Sequence, residues 1–304
     1  MSQHLRGHLA MLTFSALVAG SFSLGSLIAN QISPEAVTAI RFGIAAVVIG
    51  LAAKLTTGMP RYAAQAPWRY LVLGGLFAAY FVLMFYGLKT APPVSAAAVF
   101  TLTPAISAFA GWLLLRQITT PRMAVALAIG AAGALWVIFR ADWQLLMAFQ
   151  IGNGEIIYFW GCVAHAVYTP MVRKLNRGEP AVLFTFGTLL AGCLLLGLYG
   201  WAQIRTTNWG DLPLLVWLVI LYISVFATAA SFVLVQFSTL RLPSAKVMAY
   251  TYLVPSWVIA WEIALGNGVP SSLISVGIAL TVLALLLLLK EESRQDACVE
   301  DVNG

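Results

Sequence analysis

The sequence has few charged residues and few cysteines, and each shortage excludes a class of protein. Only 9% of the 304 residues are charged, whereas 61% are hydrophobic. A soluble domain usually carries about 25% charged residues, so the chain is not a soluble globule. Two of its three cysteines lie in apolar stretches and the third lies in the C-terminal tail (Cys162, Cys193 and Cys298). No disulfide framework is implied.

The sequence also lacks the usual signatures of catalysis. It contains no Gly-x-Ser-x-Gly nucleophile motif and no phosphate-binding Gly-rich loop that ends in lysine. Its three histidines, His4, His8 and His165, do not suggest a metal cage. We therefore expect no enzyme activity, no metal and no cofactor. A membrane enzyme with sparse motifs stays open as an alternative.

Apolar runs long enough to cross a bilayer as helices recur along nearly the whole chain. We predict an all-α membrane protein with ten transmembrane helices, followed by a polar, disordered tail at 291–304. The surplus of positive charge is spread over separate short loops, which does not favour nucleic acid as a partner. The predicted spans are 8–29, 34–53, 68–88, 94–115, 121–139, 153–173, 180–201, 213–239, 244–265 and 270–289.

An internal repeat divides these spans into two halves. The segment Phe81–Pro104 recurs 151 residues later as Phe232–Pro255, with seven identities in 24 positions. Roughly two identities would be expected by chance in so apolar a composition. In both copies a turn containing proline joins two apolar spans, and a second proline lies within the later span. The repeat predicts two related halves, at 1–145 and 150–290.

The basic residues predict that these halves have opposite orientations. Thirteen lysines and arginines fall on one side of the predicted spans and three on the other, while Arg41 lies within a span. This asymmetry predicts that both termini are cytoplasmic. Each half then has five spans, and an odd number inverts the second half relative to the first. Inverted repeats are typical of secondary transporters.

Several motifs resemble one family of transporters. Segment 33–50, with Arg41 at its centre, resembles the second span of the EamA-type drug/metabolite transporters, and segment 154–174 resembles the start of their second repeat. The resemblance extends over residues 8–289. It implies ten helices around a central cavity and transport out of the cell. The chain departs from the family where Gly-Glu usually ends the fourth and ninth spans, because Arg116-Gln117 and Gly266-Asn267 stand there.

Two matched prolines are candidate hinges. A proline inside a helix removes one backbone hydrogen bond and clashes with the carbonyl four residues earlier. Pro104 and Pro255 are therefore predicted to release the carbonyls of Phe100 and Thr251 near the middle of the membrane. Free carbonyls at that depth are tolerated where they face protein or a water-filled cavity. The alternative is an ordinary packing kink.

Aromatic residues with polar tips are the candidate lining of the cavity. Such rings bury apolar ligand surface and still form hydrogen bonds. The alternative for each residue is ordinary packing or contact with lipid. Trp160 and Trp257 lie on the same predicted spans and are further candidates, with the same alternative. The predicted substrate-binding residues are Phe77, Tyr80, Met84, Phe100, His165, Tyr168, Tyr250 and Tyr252.

Ionisable residues within the spans are few. Arg41 is expected to extend outward to the interface or to pair with an acid such as Glu35, in a structural role. Glu155 and Glu262 lie near the outer ends of their spans, and no carboxylate occupies a midplane. Proton antiport through a carboxylate is therefore disfavoured. We expect counterflow of substrate that needs no imposed pH difference.

These observations predict an inner-membrane exporter of small metabolites that works by alternating access. Its site has little fixed charge, which favours amino acids with apolar or aromatic side chains over sugar phosphates. The expected partners are this small molecule and the lipid bilayer. Alternatives are a carrier for drugs, nucleobases or quaternary amines, and a membrane scaffold that transports nothing.

Overall fold

The computed structural model describes residues 3–60, 64–139, 141–147, 151–268 and 272–303, with side chains for the described residues between 5 and 289. Every regular element in these ranges is helical. This follows from the apolar sequence, because a helix satisfies all its backbone hydrogen bonds without water. Arg61, Arg140, Lys290 and Arg294, which contribute to the charge asymmetry, lie outside the described side chains.

Fifteen α-helices follow one another through the described residues. Short 3₁₀ segments cover Trp209–Asp211 and Tyr250–Leu253, and a π-helical segment covers Val225–Ala230. The α-helices are α1 Gln3–Ile28, α2 Pro34–Thr56, α3 Trp68–Leu88, α4 Pro93–Phe100, α5 Thr103–Leu115, α6 Pro121–Ile138, α7 Trp143–Met147, α8 Asn153–Leu175, α9 Ala181–Tyr199, α10 Trp201–Thr206, α11 Leu214–Ser224, α12 Ser231–Thr239, α13 Ser244–Ala249, α14 Val254–Ala264 and α15 Ser272–Asn303.

Nine helical stretches of the described chain are long and apolar enough to cross a membrane. They match nine of the ten predicted spans. The remaining prediction, 153–173, falls on α8, which has 23 residues but is less apolar because it carries polar and charged residues such as Glu155, His165 and Lys174. The chain is a multi-pass membrane protein.

The two candidate hinge prolines lie at helix beginnings. A turn at 101–102 separates α4 from α5, and the 3₁₀ segment Tyr250–Leu253 precedes α14. Pro104 and Pro255 lie in the first turns of α5 and α14, where a missing backbone N–H costs nothing. These are the places where the fourth and ninth predicted spans depart from regular α-helix.

The carbonyls near these prolines are not free, contrary to the expectation. The Thr103 hydroxyl donates to the Phe100 carbonyl at 2.7 Å. The Val254 backbone N–H donates to the Thr251 carbonyl. Side-chain and 3₁₀ bonds thus replace the α-helical bonds that the prolines remove. The Thr103 and Thr251 hydroxyls lie 3.2 Å apart, so the two helix breaks are in contact.

Glycines allow the helices from the two halves to approach closely. A Cβ atom on Gly154 of α8 would lie 2.5 Å from the Gly87 carbonyl oxygen of α3. A Cβ atom on Gly133 of α6 would lie 2.5 Å from the Gly277 carbonyl oxygen of α15. Small residues at such contacts are typical of helices packed within a membrane. The two halves also meet where α1 packs against α12 and α2 packs against α9.

The last helix, α15, continues beyond the tenth predicted span. Its backbone is helical through Asn303. Residues 290–298 consist largely of Lys, Glu, Arg, Gln and Ala, which favour helix, and extending an existing helix requires no new nucleation. Side chains beyond Leu289, including Cys298, lie outside those described.

Candidate functional site

An aromatic cluster lies where α3, α8 and α12 meet, and Phe77 of α3 is at its centre. The Phe77 ring centroid is 4.4 Å from that of Tyr168 and 5.1 Å from that of His165, both on α8. It is 3.7 Å from the centroid of Phe232 on α12, with the two planes nearly perpendicular. Phe77, His165, Tyr168 and Phe232 are all buried. Side chains from both halves of the sequence thus pack against one another in this aromatic cluster.

Two further predicted residues extend this cluster around His165. The Tyr80 ring lies 4.5 Å from the His165 ring, and the Phe100 ring lies 5.3 Å from it. Tyr158 of α8 donates a hydrogen bond to the Tyr80 hydroxyl at 3.2 Å. The structure therefore brings together five of the eight predicted lining residues. They are Phe77, Tyr80, Phe100, His165 and Tyr168.

The other three predicted residues have different surroundings. Tyr250 pairs with His8 of α1, whose Nδ1 lies 2.9 Å from the Tyr250 hydroxyl. Tyr252 packs on Gly130 of α6, and its carbonyl accepts a hydrogen bond from Thr281 of α15 at 3.1 Å. Met84 is buried on α3, one turn beyond Tyr80.

The two tryptophans weighed with this set lie on the surface of the bundle. Trp160 is 62% exposed and Trp257 is 40% exposed. Neither side chain is buried in the aromatic cluster. Their exposure favours the alternative of contact with lipid.

The sequence contained a signal for two residues that the predicted lining omitted. Phe81 and Phe232 occupy matching positions in the repeat. Their rings lie 6.2 Å apart and almost parallel, with an interplanar angle of 15°. Phe42 of α2 contacts both rings, at centroid distances of 5.8 and 5.9 Å. Identity between the two copies identified the pair, although no motif marked it as a site.

Polar atoms inside the cluster lack partners among the described residues. The Gln236 side-chain amide donates to the Tyr168 hydroxyl at 2.9 Å, but the Gln236 side-chain oxygen has no hydrogen bond. Nδ1 of His165 is also buried without a partner. Buried polar groups are usually paired. These two atoms are therefore available to hydrogen-bond a ligand.

Arg41 borders the cluster and is fully buried. Its guanidinium carbon lies 3.6 Å from the centroid of the Phe81 ring. Two expectations for this residue are wrong, since it does not reach the surface and does not pair with Glu35. Glu35 instead accepts a hydrogen bond from the Tyr86 hydroxyl at 2.6 Å.

A buried ion pair joins the two halves at the end of the bundle where α3 begins and α8 ends. Arg69 of α3 contacts Glu179, in the loop after α8, at 2.6 Å, and donates to the Leu175 carbonyl at 2.7 Å. Burial raises the pKa of the Glu179 carboxyl. Hydrogen bonds from Arg69 and the Arg177 backbone, together with the Arg69 charge, outweigh this effect and hold the pKa below its ordinary value.

Hydrogen bonds from hydroxyl groups to acidic side chains connect the helices at the opposite end of the bundle. The Ser95 hydroxyl of α4 donates to the Glu155 carboxylate of α8 at 2.7 Å. The Tyr86–Glu35 bond joins α3 to α2 at this same end. The two ends are thus held together by different chemistry.

The side chains of this chain that could bind a metal ion are its histidines, cysteines and carboxylates. His4 and His8 are four residues apart, a spacing that metal sites use, but the His4 side chain is outside those described. Among the described residues, no three such side chains lie close enough together to hold a metal ion.

The fold and the buried cluster define a helical membrane protein whose two halves meet through aromatic side chains. The EamA-like transporter family matches the chain twice, over residues 5–139 and 152–290. The chain therefore belongs to the EamA-like transporter family, and it is a membrane transporter.

Two known proteins resemble the whole chain. A Bacillus subtilis (strain 168) protein, named as the uncharacterized transporter YyaM, is 25% identical over 288 residues, which cover 93% of each chain. A protein of known crystal structure has a TM-score of 0.71 and 23% identity, over 97% of this chain and 98% of the other. The second similarity supports the fold. Members of this family are transporters and not enzymes.

Proposed function

We propose that this protein is a secondary transporter that exports small amphipathic metabolites by alternating access. The preferred substrates are amino acids with apolar or aromatic side chains. One observation carries the proposal: rings from both halves, including Phe77, His165 and Phe232, meet in a buried cluster with unpaired polar atoms. Binding there requires the two halves to separate, which is the motion that alternating access supplies.

Helix packing supports ten membrane helices in two inverted repeats. In the repeat alignment, the pair of α3 with α8 corresponds to the pair of α12 with α1, and both pairs are in contact. The pair of α2 with α9 and the pair of α6 with α15 each combine equivalent helices. Phe81 and Phe232, whose rings are stacked, occupy equivalent positions in the two copies of the repeat. We propose that α8 also crosses the membrane, which brings the number of spans to ten, and that the repeats occupy 1–145 and 150–290.

The two helix breaks are the proposed hinges. Pro104 and Pro255 fix the start of α5 and α14, while the residues just before them depart from α-helical geometry. The contact between Thr103 and Thr251 couples the two breaks. Small changes in backbone angles at these points would tilt one half of each broken span against the other.

The proposed substrate follows from the chemistry of the cluster. Aromatic rings favour an apolar or aromatic body, and the polar atoms of His165, Gln236 and Tyr168 favour a solute that also hydrogen-bonds. Amino acids combine both properties without net charge. Export is inferred from the family alone.

We place the protein in the inner membrane of the cell. In the proposed orientation, both of its termini lie in the cytoplasm. The excess of basic residues on one side supports it. A reporter active only outside the cytoplasm, fused after Lys290, should be silent. Activity of that fusion would contradict the ten-span arrangement.

Counterflow in proteoliposomes tests the proposed function. Wild-type protein should exchange labelled phenylalanine, and Phe100→Ala and His165→Ala should lower the rate with unchanged amounts of inserted protein. Trp160→Ala, on the exposed surface, is the matched control and should behave as wild type. Full activity of both cluster variants would place the site elsewhere. A wild-type protein that moves no solute would favour a scaffold.

A further inference from the structure

Arg41 is a buried cation that has no anion among the described residues. An arginine side chain stays protonated in proteins. Its partners are all neutral: the Thr228 hydroxyl, the Ser21 hydroxyl at 3.3 Å and the Ala227 carbonyl at 3.0 Å. The remaining terminal nitrogen, Nη1, is buried without a hydrogen bond. A buried charge without a counter-ion is expensive.

The partners of Arg41 come from both halves of the protein. Ser21 lies on α1, while Ala227 and Thr228 belong to the π-helical segment Val225–Ala230. The Thr228 hydroxyl also donates to the Ile223 carbonyl at 2.7 Å, which fixes its position. Single π-helical turns inside α-helices are frequent at functional sites. Arg41 is therefore held at the junction of the halves by groups that leave its charge uncompensated.

The same guanidinium is part of the wall of the aromatic cluster. It lies over the Phe81 ring, and Phe81 contacts Phe77 at a centroid distance of 5.1 Å. Phe77 in turn contacts His165 and Tyr168. Contacting aromatic rings thus connect Arg41, whose Nη1 has no hydrogen bond, with the polar atoms of α8.

We propose that Arg41 binds the carboxylate of the transported solute. This inference rests on the proposed function and narrows it to organic monocarboxylates with an apolar or aromatic body, zwitterionic amino acids included. One guanidinium among aromatic rings suits a single negative charge, whereas a phosphate would require further donors. Quaternary amines and uncharged nucleobases lack the group that Arg41 would bind.

A series of ligands tests the proposal on the wild-type protein. L-phenylalanine, L-phenylalaninamide, phenethylamine and 3-phenylpropionate share a ring, and only the first and last carry a carboxylate. Both carboxylates should raise the melting temperature of the purified protein and compete for labelled L-phenylalanine in proteoliposomes. Replacing the carboxylate by the amide should weaken apparent affinity at least about tenfold. Equal affinities for the acid and the amide would overturn the proposal.

Substitution of Arg41 locates the effect. Arg41→Gln should bind L-phenylalanine no better than the amide, and Arg205→Gln, which removes an exposed arginine, should keep the full preference. An Arg41→Gln protein that still prefers the carboxylate would refute the role of Arg41 and leave the proposed function intact.

The two proposals fail in different ways. If the wild-type protein neither binds nor transports any compound of the series, the proposed amino-acid function fails. If Arg41→Gln does not fold, Arg41→Lys, which retains the charge without the planar fork, takes its place beside the wild-type series. In that case a wild-type preference for both carboxylates, weakened in Arg41→Lys, supports the inference.

Discussion

Arg41 and Arg69 are both buried in this membrane protein, but their surroundings differ. Arg69, near one end of the bundle, contacts the Glu179 carboxylate at 2.6 Å and also donates to backbone carbonyls of Leu175 and Gln65. Arg41, well inside α2, has only neutral acceptors and one nitrogen without a hydrogen bond. The charge of the arginine side chain is therefore balanced by a carboxylate in one region and left without a counter-ion in the other.

The difference separates a structural role from a binding role. An ion pair supplied by the chain itself joins the end of α8 to the start of α3 and needs no ligand. A buried cation without a counter-ion lowers stability until an anion binds. Retaining such a residue in a buried region makes sense where the missing anion arrives with the substrate.

The largest expected effect contrasts the two arginines directly. Arg69→Met leaves the buried Glu179 carboxylate without its cation and should lower the free energy of unfolding by about 3 kcal/mol. Arg41→Met leaves no unpaired charge, so its ligand-free stability should match or exceed wild type. Thermal unfolding of the two purified variants measures the contrast. Equal losses in both would show that Arg41 is structural too.

The second prediction isolates the Arg69–Glu179 pair. The double variant Arg69→Met/Glu179→Leu removes both charges, so its stability should return to within about 1 kcal/mol of wild type. The single variants and the double variant together form a double-mutant cycle. Additive losses in the cycle would show that the two side chains do not depend on each other.

The helices and most of the aromatic cluster, the candidate site, could be predicted from the sequence. Long apolar runs admit only helices in a membrane, and five of the eight predicted lining residues meet in the buried cluster. Phe77 and His165 are examples, since ring chemistry and depth in a span are both visible in sequence.

The surroundings of Arg41 and Tyr250 could not be predicted in this way. Their partners, such as Thr228 and His8, are about 190 and 240 residues distant in the chain. Sequence spacing places a side chain on a helix face, but the rotation of that face toward another helix depends on packing. The carbonyls near the prolines were mispredicted for a related reason, since the Thr103 hydroxyl supplies a local donor.

A third, smaller effect is the pH dependence of the Arg69–Glu179 pair. The folded protein lowers the pKa of Glu179 below its ordinary value of 4.5. The stabilisation is therefore complete above that value and is lost as pH falls through the lower, folded-state pKa. The stability advantage of wild type over Glu179→Gln should be constant near neutral pH and shrink below about pH 4.5. An advantage that grows on acidification would contradict the assignment.

The smallest expected effect concerns His165, which like Arg41 is a buried basic residue without a carboxylate partner among the described residues. Its ring is surrounded by Phe77, Tyr80 and Phe100, and no acidic side chain in the described part of the chain is in contact with it to stabilise a proton. Arg41 cannot replace it, because arginine does not release its proton. We therefore expect counterflow of substrate at equal pH on both sides to proceed at nearly the same rate as with an imposed proton gradient.

The variant His165→Gln keeps a polar side chain. It should leave the ratio of the two counterflow rates, with and without a proton gradient, near one even if it slows transport. Accumulation against a substrate gradient that appears only with a pH difference, and is lost in His165→Gln, would show that His165 carries protons. It would then be His165, and not Arg41 alone, that sets the electrostatics of the cluster.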